Sequence, residues 1–324
     1  KRIGYETHGR RLITLCESSF SLSPTSSPSR TLQRTPDSLQ LTRQRECTPM
    51  AVVPTISCKC FFPAVVAVVC ILVGYLARFS VLSGTLPLLN IGNEIGFREE
   101  QLPDLSGLVM LVTGGNAGLG KATASLLARK GAKVLITCRT EKKCKTAKAE
   151  ILESSSAPIA HLECFVVELS SLASVKSFVG TVEPHLKRLG GLHSLILNAG
   201  VMSHPYTLTE DGIEWHFAVN HLSHFMIAHE LQDILVASAP STVVSVSSIA
   251  HILPILVRKV GTLADIQLLN SGDEYDPRLA YGFSKLANIM FAREFNKRMS
   301  GEQVYANAVH PGAVRSNLTK YELQ

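Results

Sequence analysis

Several classes of protein are excluded by what this 324-residue sequence has little of. Aromatic residues make up only 6% of the chain and charged residues 18%, and the net charge of +6 is not gathered into a long run of lysine and arginine. Because nucleic-acid binding depends on such concentrated positive charge, we predict no nucleic-acid partner. The length and the 46% of hydrophobic residues instead indicate one large globular domain with shorter appendages.

Cysteine is absent from the chain after position 164, where the last of the eight cysteines lies. This distribution speaks against a disulfide framework. Cys58 and Cys60 lack the second pair of cysteines or histidines that a zinc site needs, and no acidic or cysteine cluster completes a site around His221 and His224. We therefore predict no metal site. Cys58 and Cys60 are either unmodified thiols or acylation sites beside a membrane.

The N-terminal third of the sequence lacks the chemistry-bearing motifs found later. Its first part is rich in serine, threonine, proline and arginine, and it is either a disordered extension or untranslated sequence upstream of an initiator at Met50. The apolar run that follows approaches the ~20 residues that cross a bilayer, and no clear cleavage site follows it. The expected segments are an extension at 1–49, a flank at 50–60, a transmembrane signal anchor at 61–82, a linker at 83–104 and an NAD(P)-binding oxidoreductase domain at 105–324.

From residue 108 onward, short apolar runs alternate with amphipathic helical stretches. Such runs are typical of buried parallel strands, and the helices return the chain to the same edge of the sheet. One helix is expected to end before Gly131, and another to run over 217–235. The pattern predicts an α/β, Rossmann-like doubly wound parallel sheet that is truncated at its C-terminal end. The predicted strands are 108–112, 133–137, 164–167, 192–197, 242–246 and 304–309.

A glycine loop lies between the first predicted strand and the first predicted helix. Gly114, Gly118 and Gly120 leave room for the backbone to approach a pyrophosphate. The helix N-terminus supplies N–H donors and the positive end of a dipole. The loop therefore predicts a dinucleotide site, although a glycine loop by itself is also compatible with an ordinary turn.

The end of the next predicted strand indicates which dinucleotide binds. An NAD site would have an acidic residue there, against the ribose 2′-hydroxyl, but this chain has Arg139, followed by Lys142 and Lys143. A guanidinium pairs well with a 2′-phosphate. The sequence thus favours NADP(H) over NAD(H); the alternative is a solvated basic turn.

Tyr281 and Lys285 lie one helical turn apart, so both side chains are on one face of a predicted helix. The ordinary pKa of a phenol is about 10, too high for acid–base work near neutral pH, and a neighbouring ammonium lowers it. Alone, such a pair is more typical of a helix surface. In a chain with a nucleotide loop, it predicts a general acid/base.

Four further stretches complete a pattern that resembles the short-chain dehydrogenase/reductase family over roughly 108–318. The sequence is most similar to the retinol dehydrogenase-like branch, which includes the oxidoreductase domain of the WW-domain-containing oxidoreductase. The order and spacing of the stretches carry the resemblance. They are Asn198-Ala199-Gly200, Asn220-His221-Leu222-Ser223-His224-Phe225, Ser247-Ser248 and His310-Pro311-Gly312.

The resemblance implies a role for four catalytic residues. Tyr281 would be the acid/base, and Lys285 would tune it and hold the nicotinamide ribose. Ser248, the second serine of its pair, would stabilise charge on the substrate oxygen, and Asn220 would order a water. The cofactor-binding residues that the resemblance implies are Thr113, Gly114, Asn116, Gly118, Leu119, Gly120, Arg139, Glu168, Leu169, Asn198, Ala199, Gly200, Tyr281, Lys285, Pro311, Gly312, Val314 and Ser316.

These features lead to one expected function and two alternatives. We expect an NADP(H)-dependent oxidoreductase that interconverts a hydrophobic alcohol, retinoid-, steroid- or lipid-like, and its aldehyde or ketone. A nucleotide-binding scaffold of the same fold is the first alternative. A light-dependent protochlorophyllide reductase is the second, and Ser248 argues against it. We further expect a single-pass protein of the endoplasmic reticulum or a related endomembrane, with a cytosolic domain; assembly as a homo-oligomer stays open.

The apolar segment 61–82 generates the first prediction, that it holds the protein in a membrane. Cells expressing residues 50–324 should retain the protein in the membrane pellet after extraction with alkaline carbonate. A variant that lacks 61–82 is the control and should be released. Release of both proteins into the soluble fraction would contradict the anchor.

Overall fold

Six parallel strands form a single sheet in the order β3-β2-β1-β4-β5-β6. The structure, a computed structural model, describes residues 99–154, 161–257, 269–272, 275–312, 314 and 318. Each observed strand overlaps a predicted apolar run, so the predicted doubly wound α/β sheet is confirmed. The strands are β1 (Val109–Val112), β2 (Lys133–Cys138), β3 (His161–Val166), β4 (Ser194–Leu197), β5 (Ser241–Val246) and β6 (Val304–Val309).

Helices connect the strands and cover the sheet. The longer α-helices among the described residues are α1 (Gly118–Arg129), α2 (Glu141–Glu153), α3 (Leu172–Leu189), α4 (Ser223–Glu230), α5 (Gln232–Ala237), α6 (Ile252–Val257) and α7 (Pro277–Arg298). The predicted end of the first helix is confirmed, because Gly131 follows α1 with a φ of +89° and its N–H donates to the carbonyl of Ala128.

The long helix predicted over 217–235 is wrong as a single element. The structure has one helical turn at Trp215–Phe217, a π-helical turn at Ala218–Leu222, and then α4 and α5, separated at Leu231. No glycine or proline marks these changes in the sequence. Tertiary contacts accompany them: the side chain of Asn220, inside the π turn, is hydrogen-bonded outside its own helix. π turns of this kind are frequent at functional sites.

The hydrophobic core lies between the central strands and the helices that flank them. All four residues of β1 are buried, and Val134 and Ile136 of β2 are fully buried against Leu127 of α1. An ion pair joins Glu99, which lies just before the expected domain start, to α1. The Arg129 guanidinium donates to both carboxylate oxygens of Glu99, at 3.1 and 3.2 Å.

One disulfide joins Cys144 of α2 to Cys164 of β3, whereas Cys138 keeps a buried thiol. The cysteine distribution argued against a disulfide framework and gave no sign of this single bridge. Its formation depends on the register of β2 and β3, in which Cys164 pairs with Ile136. Strand register and helix position are tertiary properties that cysteine spacing does not encode.

The expected anchor at 61–82 lies outside the described residues. Contacts divide the chain into residues 1–60 and 61–324, and every described residue belongs to the second unit. None of the helices in the described part combines the length and the hydrophobicity that crossing a bilayer requires.

Candidate active site

A cleft of about 820 Å³ opens at the carboxyl ends of the strands. The strand order reverses between β1 and β4, and in doubly wound sheets ligands bind at this switch point. Most of the sequence motifs converge there because they directly follow strands, and α7 adds Tyr281 and Lys285. The cleft is lined by Gly114, Asn116, Ala117, Gly118, Leu119, Gly120, Thr137, Cys138, Arg139, Lys143, Val167, Glu168, Leu169, Asn198, Ala199, Gly200, Val201, Val219, Val246, Ser247, Tyr281, Lys285, Pro311, Gly312, Val314 and Leu318.

Thr113 and Asn198 join the ends of β1 and β4. The Thr113 hydroxyl accepts hydrogen bonds from the backbone N–H groups of Asn198 (2.9 Å) and Ala199 (3.0 Å). The Asn198 side-chain amide donates to the carbonyl of Thr113 at 2.9 Å. Thr113 is fully buried and does not line the cleft, so it supports the glycine loop through hydrogen bonds below the cleft floor.

His224 completes this brace. Its Nδ1 lies 3.1 Å from the carbonyl oxygen of Asn220, which can only accept, so we assign the ring proton to Nδ1. Nε2 then accepts from the Thr113 hydroxyl at 2.9 Å. Burial, with a smaller contribution from the charge of Lys285, lowers the pKa of His224 to about 3. The ring is therefore neutral and links the Thr113 hydroxyl to the backbone carbonyl of Asn220 through its two nitrogens.

The glycine loop has its shape because two positions tolerate no side chain. Gly114 has a φ of +66°, a conformation that L-residues rarely adopt. A Cβ at Gly120 would lie 2.4 Å from both the Gly114 carbonyl oxygen and the Asn198 Nδ2. The start of α1 is thus pressed against the β1–β4 junction, and its backbone borders the cleft.

The other end of the cleft is basic. Arg139 and Lys143 both line it, whereas Lys142 is not among the described lining residues. Arg139 Nε lies 3.3 Å from a carboxylate oxygen of Glu168, whose second oxygen accepts from the backbone N–H and the hydroxyl of Ser170. The carboxylate thus holds the guanidinium at the cleft wall. The sequence does not indicate which of Lys142 and Lys143 faces the cleft, because that depends on the orientation of α2.

Tyr281 and Lys285 lie side by side on α7 and line the cleft. Lys285 is 3% exposed, its Nζ donates to the carbonyl of Val246 at 2.9 Å, and it lies 5.5 Å from the centre of the Tyr281 ring. Burial lowers the pKa of Lys285 to about 8. A buried ammonium beside a phenol favours the phenolate and is an arrangement suited to proton transfer.

Asn220 lies behind this pair, inside the π turn. Its Oδ1 accepts from the backbone N–H of Val201 at 2.8 Å, and its Nδ2 donates to the Val201 carbonyl and the Ser284 hydroxyl. A Cβ added to Gly200 would lie 3.1 Å from Asn220 Oδ1 and 3.6 Å from Lys285 Nζ, so the three residues are close neighbours. Asn220 is fully buried and does not itself line the cleft.

The two serines after β5 have different partners. The Ser247 hydroxyl donates to the backbone carbonyl of Lys285 at 2.7 Å and is buried. The Ser248 oxygen caps the following turn by accepting from the N–H of Ala250 at 3.2 Å. Ser247 is among the described residues that line the cleft and Ser248 is not. The hydroxyl of Ser247 nevertheless donates its proton to α7, whereas that of Ser248 donates to no group among the described residues.

A buried polar network beside Tyr281 was not found by sequence analysis. One carboxylate oxygen of Glu214 lies 2.7 Å from His216 Nδ1 and 2.7 Å from the Tyr275 hydroxyl. His216 Nε2 accepts from the backbone N–H of His204, and its ring meets the Tyr281 ring edge-on at 6.3 Å. The spacing Glu-x-His was the one available signal, and it says nothing about the distant Tyr275.

The remaining predicted cofactor residues are divided between the cleft and the undescribed part of the chain. Leu169, Pro311, Gly312 and Val314 line the cleft, as does Leu318, which was not predicted. Ser316 lies outside the described residues.

Comparison with known proteins identifies one family and several relatives. Residues 108–260 match the family described as short chain dehydrogenase. Retinol dehydrogenase 12 of Mus musculus is 44% identical over 216 residues, covering 67% of this chain and 64% of that protein. The WW domain-containing oxidoreductase of Gallus gallus is 41% identical over 222 residues, covering 68% of this chain and 52% of the relative. The chain thus spans less than two thirds of the length of these relatives.

Solved structures share the fold. A short-chain dehydrogenase from Sphingobium yanoikuyae in complex with NADPH superposes with a TM-score of 0.51 at 20% identity, covering 66% of this chain and 75% of that one. At this level of identity the similarity concerns the fold alone.

The packing around Gly120 generates a prediction about the nucleotide loop. Gly120→Ala should displace the Gly114 carbonyl at a cost of about 1–3 kcal/mol and weaken NADPH binding by roughly tenfold or more. Gly180→Ala is the matched control, because a Cβ there meets nothing within 4 Å. Fluorescence titration with NADPH and thermal unfolding of both variants provide the measurements. Unchanged affinity in Gly120→Ala would show that the loop does not carry the nucleotide.

Proposed function

The chain belongs to the short-chain dehydrogenase family, and on that premise we propose that it is an NADP(H)-dependent oxidoreductase that interconverts a hydrophobic alcohol and its aldehyde or ketone. One observation carries the proposal. A buried phenol–ammonium pair, Tyr281 and Lys285, lines the same cleft as a glycine loop and a basic turn. A scaffold that only held a nucleotide would have no use for the buried ammonium, whose desolvation is costly.

The residues of the cleft fit a 2′-phosphorylated dinucleotide. The loop around Gly120, which has no room for a Cβ, suits a pyrophosphate, and Arg139 and Lys143 suit the 2′-phosphate. In this proposal Lys285 holds the nicotinamide ribose, and Pro311, Gly312 and Val314, which line the cleft, contact the nicotinamide end. When bound, the cofactor supplies or accepts the hydride at the carbonyl carbon.

The protein's own residues move the proton and stabilise charge. Tyr281 donates its phenolic proton to the carbonyl oxygen during reduction and takes the hydroxyl proton during oxidation. The Lys285 ammonium stabilises the phenolate between these events. Ser248 donates a hydrogen bond to the substrate oxygen as charge develops on it. Asn220 orders a water that connects Lys285 to solvent.

Exposed apolar side chains that follow Ser248 in the chain support a hydrophobic substrate. Ile249, Leu253, Ile255 and Leu256 follow Ser248 closely in the chain and are each between 39% and 75% exposed. Apolar side chains beside a few convergent polar groups are typical of small-molecule sites. A relative is named a retinol dehydrogenase, which is consistent with a substrate of this class. Anchoring of the protein in an endomembrane through 61–82 belongs to the same proposal.

The basic end of the cleft generates a prediction about cofactor preference. Charge-assisted hydrogen bonds contribute about 1.5–3 kcal/mol each, so the protein should bind NADPH roughly tenfold or more tightly than NADH. Arg139→Ala and Lys143→Ala should each reduce this ratio, and Arg139→Asp should abolish or reverse it. Lys142→Ala removes the same charge from the neighbouring residue, which does not line the cleft, and should leave the ratio intact. Equal affinities of the unmodified protein for both nucleotides would refute the proposed preference.

The phenol–ammonium pair generates a prediction about chemistry. Tyr281→Phe should lower turnover by about 10²–10⁴-fold while NADPH affinity stays nearly unchanged. Lys285→Ala should lower both turnover and NADPH affinity, because Lys285 stabilises the phenolate and binds the ribose. Tyr305→Phe is the control, since that phenol is 52% exposed on β6. NADPH oxidation is followed with retinaldehyde, ketosteroids and fatty aldehydes. If Tyr281→Phe kept the wild-type turnover, Tyr281 would not be the acid/base, and the nucleotide-binding scaffold would become the better hypothesis.

A further inference from the structure

Three sulfur atoms meet directly beneath the basic end of the cleft. Cys144 and Cys164 are joined as a disulfide, and Cys138 Sγ lies 2.8 Å from Cys144 Sγ and 3.7 Å from Cys164 Sγ. Cys138 and Cys144 are buried, Cys164 is partly exposed, and Cys138 also lines the cleft. We call these three residues the sulfur cluster. The proposed dehydrogenase chemistry uses none of them.

Strand register and helix packing bring the cluster together. Cys164 of β3 pairs with Ile136 of β2, and Cys138 lies two residues further along β2. Paired residues and residues two apart share one face of a sheet, so Cys138 and Cys164 are diagonal neighbours on the same face. The first turn of α2 packs over this face and contributes Cys144.

The cluster is continuous with the residues that face the proposed 2′-phosphate. Arg139 directly follows Cys138, and Lys143 directly precedes Cys144. The Cys138 thiol donates to the carbonyl of Thr140 at 3.1 Å, and Thr140 caps α2 by accepting from the N–H of Lys143. The basic turn 139–143 is therefore held by sulfur contacts at both of its ends.

We propose that Cys144 and Cys164 form an oxidation site whose disulfide raises the affinity of the cleft for a 2′-phosphorylated nucleotide; this role rests on the proposed NADP(H) function. Two thiols lose two protons and two electrons as the S–S bond forms, and a peroxide takes them up to give two molecules of water. A dithiol reductant reverses the step and is itself oxidised to a disulfide.

We expect the disulfide to raise NADPH affinity because it orders the phosphate-binding side chains before the nucleotide binds. The bridge fixes the first turn of α2 to β3 and thereby fixes Lys143 beside Arg139. A charged side chain that is ordered in advance loses less conformational freedom when its ligand binds. NADH has no 2′-phosphate to meet this turn, so its affinity should not depend on the bridge. Burial raises the pKa of the Cys138 thiol, which keeps it protonated and leaves the bridge to the other two cysteines.

The experiment measures the bridge and the nucleotide affinity separately. The purified protein is prepared after a dithiol reductant and after hydrogen peroxide, each time with removal of the reagent. Thiol alkylation followed by peptide mass mapping identifies which cysteines are linked. Dissociation constants for NADPH and NADH are then determined in both states. The variants are Cys144→Ser and Cys164→Ser, with Cys138→Ser as the matched control that keeps both bridging cysteines.

We expect the oxidised protein to contain the Cys144–Cys164 link and to bind NADPH roughly threefold to tenfold more tightly than the reduced protein, the size expected for ordering one or two side chains. NADH affinity should be the same in both states. Cys144→Ser and Cys164→Ser should lose the dependence on oxidation, and Cys138→Ser should keep it.

Four results would overturn the proposal. The first is absence of the link after peroxide treatment, and the second is purification of the reduced protein with a tightly bound soft metal ion on the three thiolates. The third is an equal change in affinity for NADPH and NADH, which would mean that the bridge acts on the domain as a whole. The fourth is NADPH binding that does not depend on oxidation, which leaves the proposed dehydrogenase function standing. Failure to bind NADPH in either state would remove both proposals.

Discussion

The hydrogen-bonded junction between the ends of β1 and β4 is the constraint on which the site depends. The strand order reverses there, so the connections that leave β1 and β4 run in opposite directions and a crevice opens between them. Thr113 and Asn198 close the bottom of that crevice with three short hydrogen bonds. Gly120 packs on the same amide, and His224 holds the Thr113 hydroxyl. This junction therefore supports the glycine loop and the start of α1, and through His224 it also supports the π turn around Asn220.

The electrostatic character of the cleft changes from one end to the other. At the inner end, the buried ammonium of Lys285 donates to a backbone carbonyl, and burial lowers its pKa. At the outer end, Arg139 and Lys143 remain largely exposed, and a carboxylate, Glu168, contacts the guanidinium. Screening by solvent weakens charges at the outer end, whereas charge at the inner end acts at short range in a dry environment. The inner end is therefore suited to proton transfer and the outer end to recognition.

The fold and most of the cleft could be predicted from the sequence, because each depends on patterns local to the chain. The six apolar runs became the six strands, and the motifs that directly follow strands gathered at one edge of the sheet. The sequence could not predict which of two adjacent lysines borders the cleft or which partners the hydroxyls of Ser247 and Ser248 take. The first depends on the rotation of α2, and the second depends on the packing of α7 against the end of β5.

The sequence by itself determined the sheet, the glycine loop and the one-turn spacing of Tyr281 and Lys285, because hydrophobic period and residue spacing fix these locally. Only the tertiary structure decided the π turn that inserts Asn220, the network that joins Glu214 to Tyr275, and the sulfur cluster. Each of these brings together residues from separate elements. Their contacts are set by strand register and helix orientation, which arise when the whole core packs and which no short stretch of sequence encodes.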